Sequence, residues 1–324
     1  MPRVVEGYYR CLAPFTVTDE ALGEQYPIVV GGHAGSLTLP SRIGVTTHHV
    51  GMEAPDWFYG GDVDLPQSRL AGAEEFWGAA ALWHADNTPF AFHVRRFRLS
   101  FGIDGADGAV ERLAREVAVA MPAWWAQVSV WLEVLFEQDL SRLGPVDPGV
   151  HFNTTTLWAR LDRAIGGLMP VGGTAARFNM VRYSPADAAG LRRCIALAEA
   201  SELPEREWQT LRDARSFFNG YDFRRAVLDA GLAAEHAIRR MLSAALVADE
   251  REEAEIAKAT RLPLGRLCEA WLKRGGTLPV ETFARLVQRR NAAAHAGASI
   301  AREDAKDALS VALEIVNVAV PHSR

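Results

Sequence analysis

Hydrophobic and polar positions follow different periods in the two parts of this chain. Up to residue 102, apolar residues stand in short runs that are bounded by glycine and proline, a pattern typical of β-strands. From residue 187 onward, apolar residues recur at intervals of three and four, which predicts amphipathic helices. This change of period favours an α+β fold, in which a mixed, strand-rich domain over residues 1–185 precedes an all-α domain over residues 186–324.

The strand prediction rests on residues 27–32, 35–40 and 90–101, which are rich in β-branched and aromatic residues. A helix is predicted over residues 109–121, with a break at Pro122. The segment 124–140 fits either a helix or a strand, and its length favours a helix. Its tryptophans could stack a ligand, but their helical spacing favours a core position for Trp124, Trp125 and Trp131.

The C-terminal part predicts an up-down helical bundle. Helices are expected over residues 187–200, 205–219, 221–247, 264–273, 279–296 and 303–320, and the charged run 249–255 is read as a solvated helix or turn. The connections are short, and short connections join antiparallel neighbours.

Charge limits the kinds of partner that the chain can bind. Residues 201–324 carry 19 basic and 18 acidic side chains, whereas residues 1–200 have a balance of −6. A broad basic surface for nucleic acid is therefore absent, and any RNA would be held locally by arginines of the C-terminal part. Nearly all the positive charge is arginine, since Lys258, Lys273 and Lys306 are the only lysines.

The cysteines and the apolar runs suggest a cytoplasmic protein. Cys11, Cys194 and Cys268 are far apart in the sequence and form no CxxC pair, so we expect buried or idle thiols in a reducing compartment. The N-terminus does not resemble a signal peptide, and the apolar runs read as shorter than a membrane span.

Two features of the N-terminal part could carry chemistry. His48, His49, Glu53, Asp62 and Asp64 offer metal-ligand types, but they lack a ligand spacing such as HExxH and are better read as loop or strand residues. Residues 102–108 have the spacing GxxGxxG and not GxGxxG, and their two aspartates would repel a pyrophosphate. A turn with an aspartate N-cap is therefore expected there.

The densest polar motif is Arg289-Arg290-Asn291-Ala292-Ala293-Ala294-His295-Ala296-Gly297, at the end of the predicted helix 279–296. Val280, Phe283, Ala284 and Val287 are expected to form its buried face. Asn291 and His295 are four residues apart and so lie on one face. The alanines between them leave room for a neighbouring helix. Arginine, asparagine and histidine at a helix end could bind a phosphate, although a solvated helix end is the plain alternative.

The order of these helices resembles the HEPN superfamily. The resemblance covers roughly residues 203–320: a long helix with Asp229 and Glu235, a short helix, an Arg-Asn-x-x-x-His helix end at Arg290, Asn291 and His295, and a final apolar helix. Residues 211–215, 222–230 and 234–235 are also similar to bacterial members of the superfamily. Residues 1–185 resemble no family that we recognise.

The resemblance implies a metal-independent endoribonuclease that works without a cofactor at a homodimer interface. In that reading Arg290 neutralises charge on the phosphate, His295 transfers protons, and Asn291 and Glu235 orient them. It also implies RNA such as tRNA as substrate, a role in phage defence or stress response, and a partner or antitoxin protein.

Two alternatives stay open. The bundle could be a non-catalytic interaction or nucleotide-binding module, in which the same residues hold a ligand or join a dimer; Glu235 and Arg290 could then be a buried ion pair. Residues 1–185 could instead be the active part, with the bundle as a dimerisation unit.

Overall fold

The computed structural model describes residues 3–42, 52–53, 55, 77–86, 88–103, 107–145, 150–151, 158–160, 168–170, 177–178, 184–295 and 299–321. An antiparallel sheet in the N-terminal part precedes a helical C-terminal part, which confirms the predicted α+β class. The sequence pattern also predicts elements at residues 154–165 and 175–183, and these segments lie mostly outside the described residues.

The N-terminal domain is organised around one long central strand. The strands are Arg3–Thr18 (β1), Gln25–Val30 (β2), His33–Thr38 (β3), Ser41–Arg42 (β4), Met52–Glu53 (β5), Gly78–Trp83 (β6) and Pro89–Ile103 (β7). The strand β7 pairs with β1 along one edge and with β3 and β6 along the other, and β3 pairs with β2. Four short strands follow as two antiparallel pairs, Val150–His151 (β8) with Arg177–Phe178 (β11) and Trp158–Arg160 (β9) with Leu168–Pro170 (β10).

The three predicted strands are confirmed as β2, β3 and β7, but the longest strand, β1, was not predicted from the sequence. Its register shifts between Arg10 and Phe15, where Pro14 interrupts the run. The shift breaks the alternation of apolar and polar residues that identifies a strand, because a change of register exchanges the two faces.

One helix, Asp107–Leu135 (α1), spans the region where a break was predicted. Pro122 lies inside it and does not end it, so that prediction is wrong. The helix continues because its buried side packs on the sheet; Val117, Met121 and Trp125 all belong to the same core as β1 and β7. Tertiary burial here outweighs the backbone hydrogen bond that proline cannot donate.

This helix also corrects the expectation about apolar runs. Residues Gly108–Leu135 are long and apolar enough to cross a membrane by length and composition alone. Half of the most apolar window is buried inside the protein, and its tryptophans Trp124, Trp125 and Trp131 are buried as predicted. Such contacts are those of a core helix.

The hydrophobic core between the sheet and α1, which we call the first core, is built from large aromatic rings. The Trp125 ring lies 5.0 Å from both the Phe15 and the Phe97 rings, and Tyr9 stacks on Phe97 at 5.5 Å. The helix Ala188–Glu199 (α2) adds Leu191, Cys194 and Ile195 to this core. The domain boundary after residue 185 stays a prediction, but the packing of the first core extends beyond it to Ala198.

The C-terminal helices follow the predicted bounds within a few residues. After α2 they are Arg206–Asn219 (α3), Phe223–Ala248 (α4), Glu253–Thr260 (α5), Leu264–Lys273 (α6), Gln288–His295 (α7) and Arg302–Ala319 (α8), with a π-helical turn at Phe283–Val287. Aspartates cap two of them, because Asp187 accepts from the backbone of Gly190 and Asp222 from that of Arg225.

The long helix α4 is the centre of the bundle and contacts α3, α5, α6, α7 and α8. Five of its twelve buried residues are alanines, and Ala230, Ala233, Ala234 and Ala237 are fully enclosed. Small side chains let neighbouring helices approach closely, whereas large ones fill the first core.

A buried polar network joins the two parts. The Glu133 carboxylate, 1% exposed, accepts hydrogen bonds from the backbone of Leu140 and Ser141 and lies 3.5 Å from the Arg212 guanidinium on α3. Nearby, Asp139 accepts from Ser216 at 2.7 Å. Burial raises the pKa of Glu133, while Arg212 opposes that rise. These bonds fix the end of α1 against the bundle.

The cysteines are buried and form no disulfide, in agreement with the sequence. Burial raises the pKa of Cys194 to about 12 and that of Cys268 to about 11. Thiols with such pKa values hold their protons at neutral pH and are poor nucleophiles.

Candidate functional site

The predicted motif helix is interrupted by the π-helical turn, and this changes which side it buries. Val280 is 82% exposed, and Phe283 and Ala284 are also exposed, so only Val287 of the four expected residues is buried. The extra residue in a π turn rotates what precedes it relative to the helix that follows. The buried side consists instead of Leu286, Val287 and Ala293.

Ala293 is fully buried, as the alanine run of the motif suggested. Its helix, α7, packs on α4, and the Arg290 side chain passes over Gly231 of that helix. A Cβ atom on Gly231 would lie 2.6 Å from the Cγ atom of Arg290. The glycine therefore makes room for the Arg290 side chain, which lies flat across α4.

The Arg290 guanidinium reaches toward Glu235, the acidic residue that the sequence singled out. The distance from Arg290 Nη2 to Glu235 Oε2 is 4.0 Å, at the limit of an ion pair. The other carboxylate oxygen, Oε1, is held closely by Arg239, one turn along α4. The negative charge of Glu235 is thus already neutralised by Arg239. Because 31% of the Arg290 side chain is exposed, its positive charge is available to a ligand in the seam between α4 and α7.

Asn291 lies beside this pair. The Arg290 Nη1 donates a long hydrogen bond of 3.4 Å to Asn291 Oδ1. Asn291 is exposed, so its side chain is accessible to solvent next to Arg290. The structure therefore brings Arg290, Asn291 and Glu235 together.

The other arginines of the motif helix face away from the seam. Arg285 pairs with Asp307 at 2.7 Å, and Arg289 pairs with Asp304 at 2.9 Å, both on α8. Their charges are used in holding α7 against α8. Arg290 is consequently the arginine of the motif that faces α4.

His295 is the last residue of α7 and is exposed. It follows Asn291 by four residues, which places both side chains on one face of the helix. Within the described part of the chain, no hydrogen bond or ion pair holds its imidazole. The ring is therefore free to meet a substrate, but it does not contact Arg290 through a bond in this structure.

Sequence reasoning missed two contributors to this seam. Arg239 stands four residues after Glu235, a spacing that signals a helical ion pair. Gly231 is an isolated glycine inside a long alanine-rich helix, which is a signal of close packing. His236 follows Glu235 in the sequence and lies near Arg206 on α3. Burial lowers the pKa of His236, and the positive charge of Arg206 lowers it further.

Most of the N-terminal candidates lie outside the described residues. Among the described residues no three His, Cys, Asp or Glu side chains are close enough to hold a metal ion. Glu53 lies in β5, while His48, His49, Asp62 and Asp64 lie outside the described residues. The turn predicted over residues 102–108 falls between the end of β7 at Ile103 and the start of α1 at Asp107. Residues 104–106 lie outside the described residues.

No family model, curated protein or solved structure matches the chain. The assignment of function therefore rests on the chemistry of the seam between α4 and α7.

Proposed function

We propose that this protein is a metal-independent endoribonuclease of the HEPN type, acting in the cytoplasm on RNA such as tRNA. The observation that supports it most is the seam between α4 and α7, where a partly exposed Arg290 and an exposed Asn291 lie one turn before an exposed His295. These are the groups that a phosphate transfer without metal requires.

The proposed reaction is transesterification. The 2′-hydroxyl of one nucleotide loses its proton and attacks the adjacent phosphorus, while the bond to the 5′-oxygen of the next nucleotide breaks and that oxygen gains a proton. Arg290 stabilises the charge on the non-bridging oxygens, and Asn291 donates a further hydrogen bond. The products are a 2′,3′-cyclic phosphate and a 5′-hydroxyl.

His295 transfers the protons. An imidazole can act as base or acid, but one ring cannot fill both roles in the same step. In a two-fold dimer the second copy would supply the other imidazole, since such an interface presents the same helix end twice. The homodimer is part of the proposal.

A non-catalytic module is the second candidate, and one observation favours it. The stem of Arg290 covers Gly231, and its guanidinium faces Glu235, so in this second reading the side chain would hold α7 against α4. In that role it would bind a nucleotide or join two copies without cleaving RNA. The cellular role in phage defence or stress response, and the antitoxin partner, rest on the resemblance alone.

Cleavage of total tRNA and of a defined single-stranded RNA in EDTA tests the proposal. The wild type is compared with His295→Ala and with His84→Ala, a control that removes an exposed histidine of the N-terminal domain. We expect cleavage by the wild type and the control, with 5′-hydroxyl ends, and none by His295→Ala. A 2′-deoxy substitution at the cut position should block the reaction.

The alternatives give different results. In a purely structural role, His295→Ala would lower the melting temperature or split the dimer. Equal cleavage by the wild type and His295→Ala would place the activity elsewhere or in a contaminant, and would refute the proposed site.

A further inference from the structure

A second group of side chains lies where α3 ends and where α4 and α8 begin. The rings of Phe218, Tyr221 and Phe223 form a cluster, with both Phe218 and Tyr221 5.6 Å from Phe223. The Cζ atom of Arg302, at the start of α8, lies 5.8 Å over the Phe218 ring and 5.9 Å over the Tyr221 ring. We call these four residues the aromatic–arginine cluster.

Arg302 is exposed, and no carboxylate among the described residues pairs with it. Cations usually neutralise acidic neighbours in this bundle, as Arg285 and Arg289 do. An arginine that rests on two aromatic rings instead keeps its charge and presents the outer side of its guanidinium to solvent.

The chain holds Tyr221 in an unfavourable backbone conformation. Its φ angle is 62°, in the left-handed region, at the turn between α3 and α4. A bulky residue in this region is strained, and glycine would fit there without strain. Ser201 and Glu250 have the same conformation at the ends of α2 and α4, so at Tyr221 it is the left-handed cap that ends α3, closed by a hydrogen bond from the Asp222 backbone N–H to the Phe217 carbonyl oxygen.

The cluster lies beside the motif. Arg224, in the first turn of α4 next to Phe223, donates a hydrogen bond of 2.8 Å to the carbonyl oxygen of Ala293. Carbonyl groups point toward the C-terminal end of a helix, so the Arg224 guanidinium lies at the end that carries His295. Arg224 is exposed in part and has no carboxylate partner among the described residues.

We propose that the aromatic–arginine cluster is a binding site for an unpaired nucleobase of the RNA strand cut at His295. The base stacks on Arg302 and Tyr221, and Arg224 contacts the backbone phosphate between that base and the cut. This inference rests on the proposed function, and it makes single-stranded RNA the substrate class. A paired base cannot be splayed onto the cluster, whereas an unpaired base stacks on aromatic and guanidinium planes.

The experiment measures binding of a fluorescent 12-nucleotide RNA in EDTA, single-stranded or annealed to its complement. All proteins carry His295→Ala, so that the probe stays intact. Tyr221→Gly removes the ring and relieves the strained φ angle, so we expect an unchanged or higher melting temperature with affinity for the single strand about tenfold weaker. Tyr221→Phe should keep the affinity, and Ser201→Gly, at another left-handed position, is the matched control.

Arg302→Gln gives an independent readout. Loss of one cation that contacts the strand should reduce the slope of log K against log salt by about 0.7. Arg115→Gln, which removes an exposed arginine of α1 in the N-terminal domain, should leave the slope unchanged.

The outcomes separate this inference from the nuclease. Weaker binding by Tyr221→Gly supports the cluster even if the wild type cleaves no RNA. Cleavage by the wild type with equal binding by Tyr221→Gly and its parent would retain the nuclease and overturn the cluster. Absence of binding by the parent, or equal affinity for the duplex, would also overturn it.

Discussion

The two halves of this protein are packed in opposite ways. The sheet and α1 enclose Phe15, Phe97 and Trp125, whose rings lie 5.0 to 6.3 Å apart. The bundle instead encloses alanines along α4. Large rings fill space and hold elements apart, whereas alanines bring helices close enough for backbones and polar side chains to meet. That closeness lets Arg290 lie across Gly231 and reach Glu235. The difference teaches that the polar seam depends on small residues beneath it.

The largest effect is expected from Phe97→Ala. Phe97 is fully buried and touches Tyr9, Phe15 and Trp125, so its loss leaves a cavity and should lower the free energy of unfolding by about 3–5 kcal/mol. Urea unfolding measures it. The control Val119→Ala trims a side chain of α1 that is 82% exposed and should change stability by less than about 0.5 kcal/mol. An equal loss in both variants would contradict the assignment of the loss to a cavity at Phe97.

The second prediction concerns pH and His93, which pairs with the Thr16 hydroxyl at 2.9 Å beneath the sheet. Burial, then Arg95, lowers the pKa of His93 from 6.5 to about 4. The unfolded chain therefore takes up a proton before the folded one does. The contribution of His93 to the free energy of unfolding is complete above pH 6.5. It is lost as the pH falls from 6.5 through about 4, by at most about 3 kcal/mol. Urea unfolding of the wild type and His93→Gln between pH 7 and pH 4 checks it; parallel curves would contradict the assignment.

The third prediction adds volume to the alanine core. Ala234 is fully buried on α4, and Ala234→Leu should cost about 1–3 kcal/mol because neighbouring helices must separate. Ala244→Leu places the same side chain on the exposed side of the same helix and should be near neutral. Thermal and urea unfolding compare the two. Equal tolerance of both changes would show that close helix packing is not required.

The smallest change in stability is expected at Gly231. Alanine there favours the helix by up to about 1 kcal/mol, but its Cβ atom would displace the Arg290 side chain. If Arg290 binds the phosphate, Gly231→Ala should leave the melting temperature nearly unchanged while RNA cleavage falls by about 10- to 100-fold. Gly108→Ala, which meets open space in α1, is the matched control. Full cleavage by Gly231→Ala would show that the position of Arg290 is unimportant.

The bundle could be predicted from the sequence because its information is local. Apolar periodicity set most bounds within a few residues, and Asp187 caps the helix that was predicted to begin there. Two predictions were wrong. The helix break predicted at Pro122 does not occur because the helix packs against a sheet that is distant in the sequence. The buried face predicted at Val280 and Phe283 is exposed because a π turn precedes the motif helix.

The candidate site could be predicted only in part. Arg290, Asn291 and His295 are neighbours in the sequence, and Glu235 entered through its place on the long helix. Nothing local indicated that Arg285 and Arg289 would pair with α8, whereas the four-residue spacing of Glu235 and Arg239 is a local signal of their ion pair that sequence reasoning missed. These partners decide which arginine remains available, and they are set by how the helices pack.

The most direct test of the central claim compares Arg290→Ala with Arg289→Ala in RNA cleavage and melting temperature. The two arginines are adjacent; one faces Glu235 across the seam and the other pairs with Asp304. We predict that Arg290→Ala lowers cleavage by at least about 100-fold with little change in melting temperature, since Arg239 still neutralises Glu235, whereas Arg289→Ala keeps its cleavage activity. Equal activity of both variants, or loss in Arg289→Ala alone, would contradict the assignment of Arg290 as the residue that binds the phosphate.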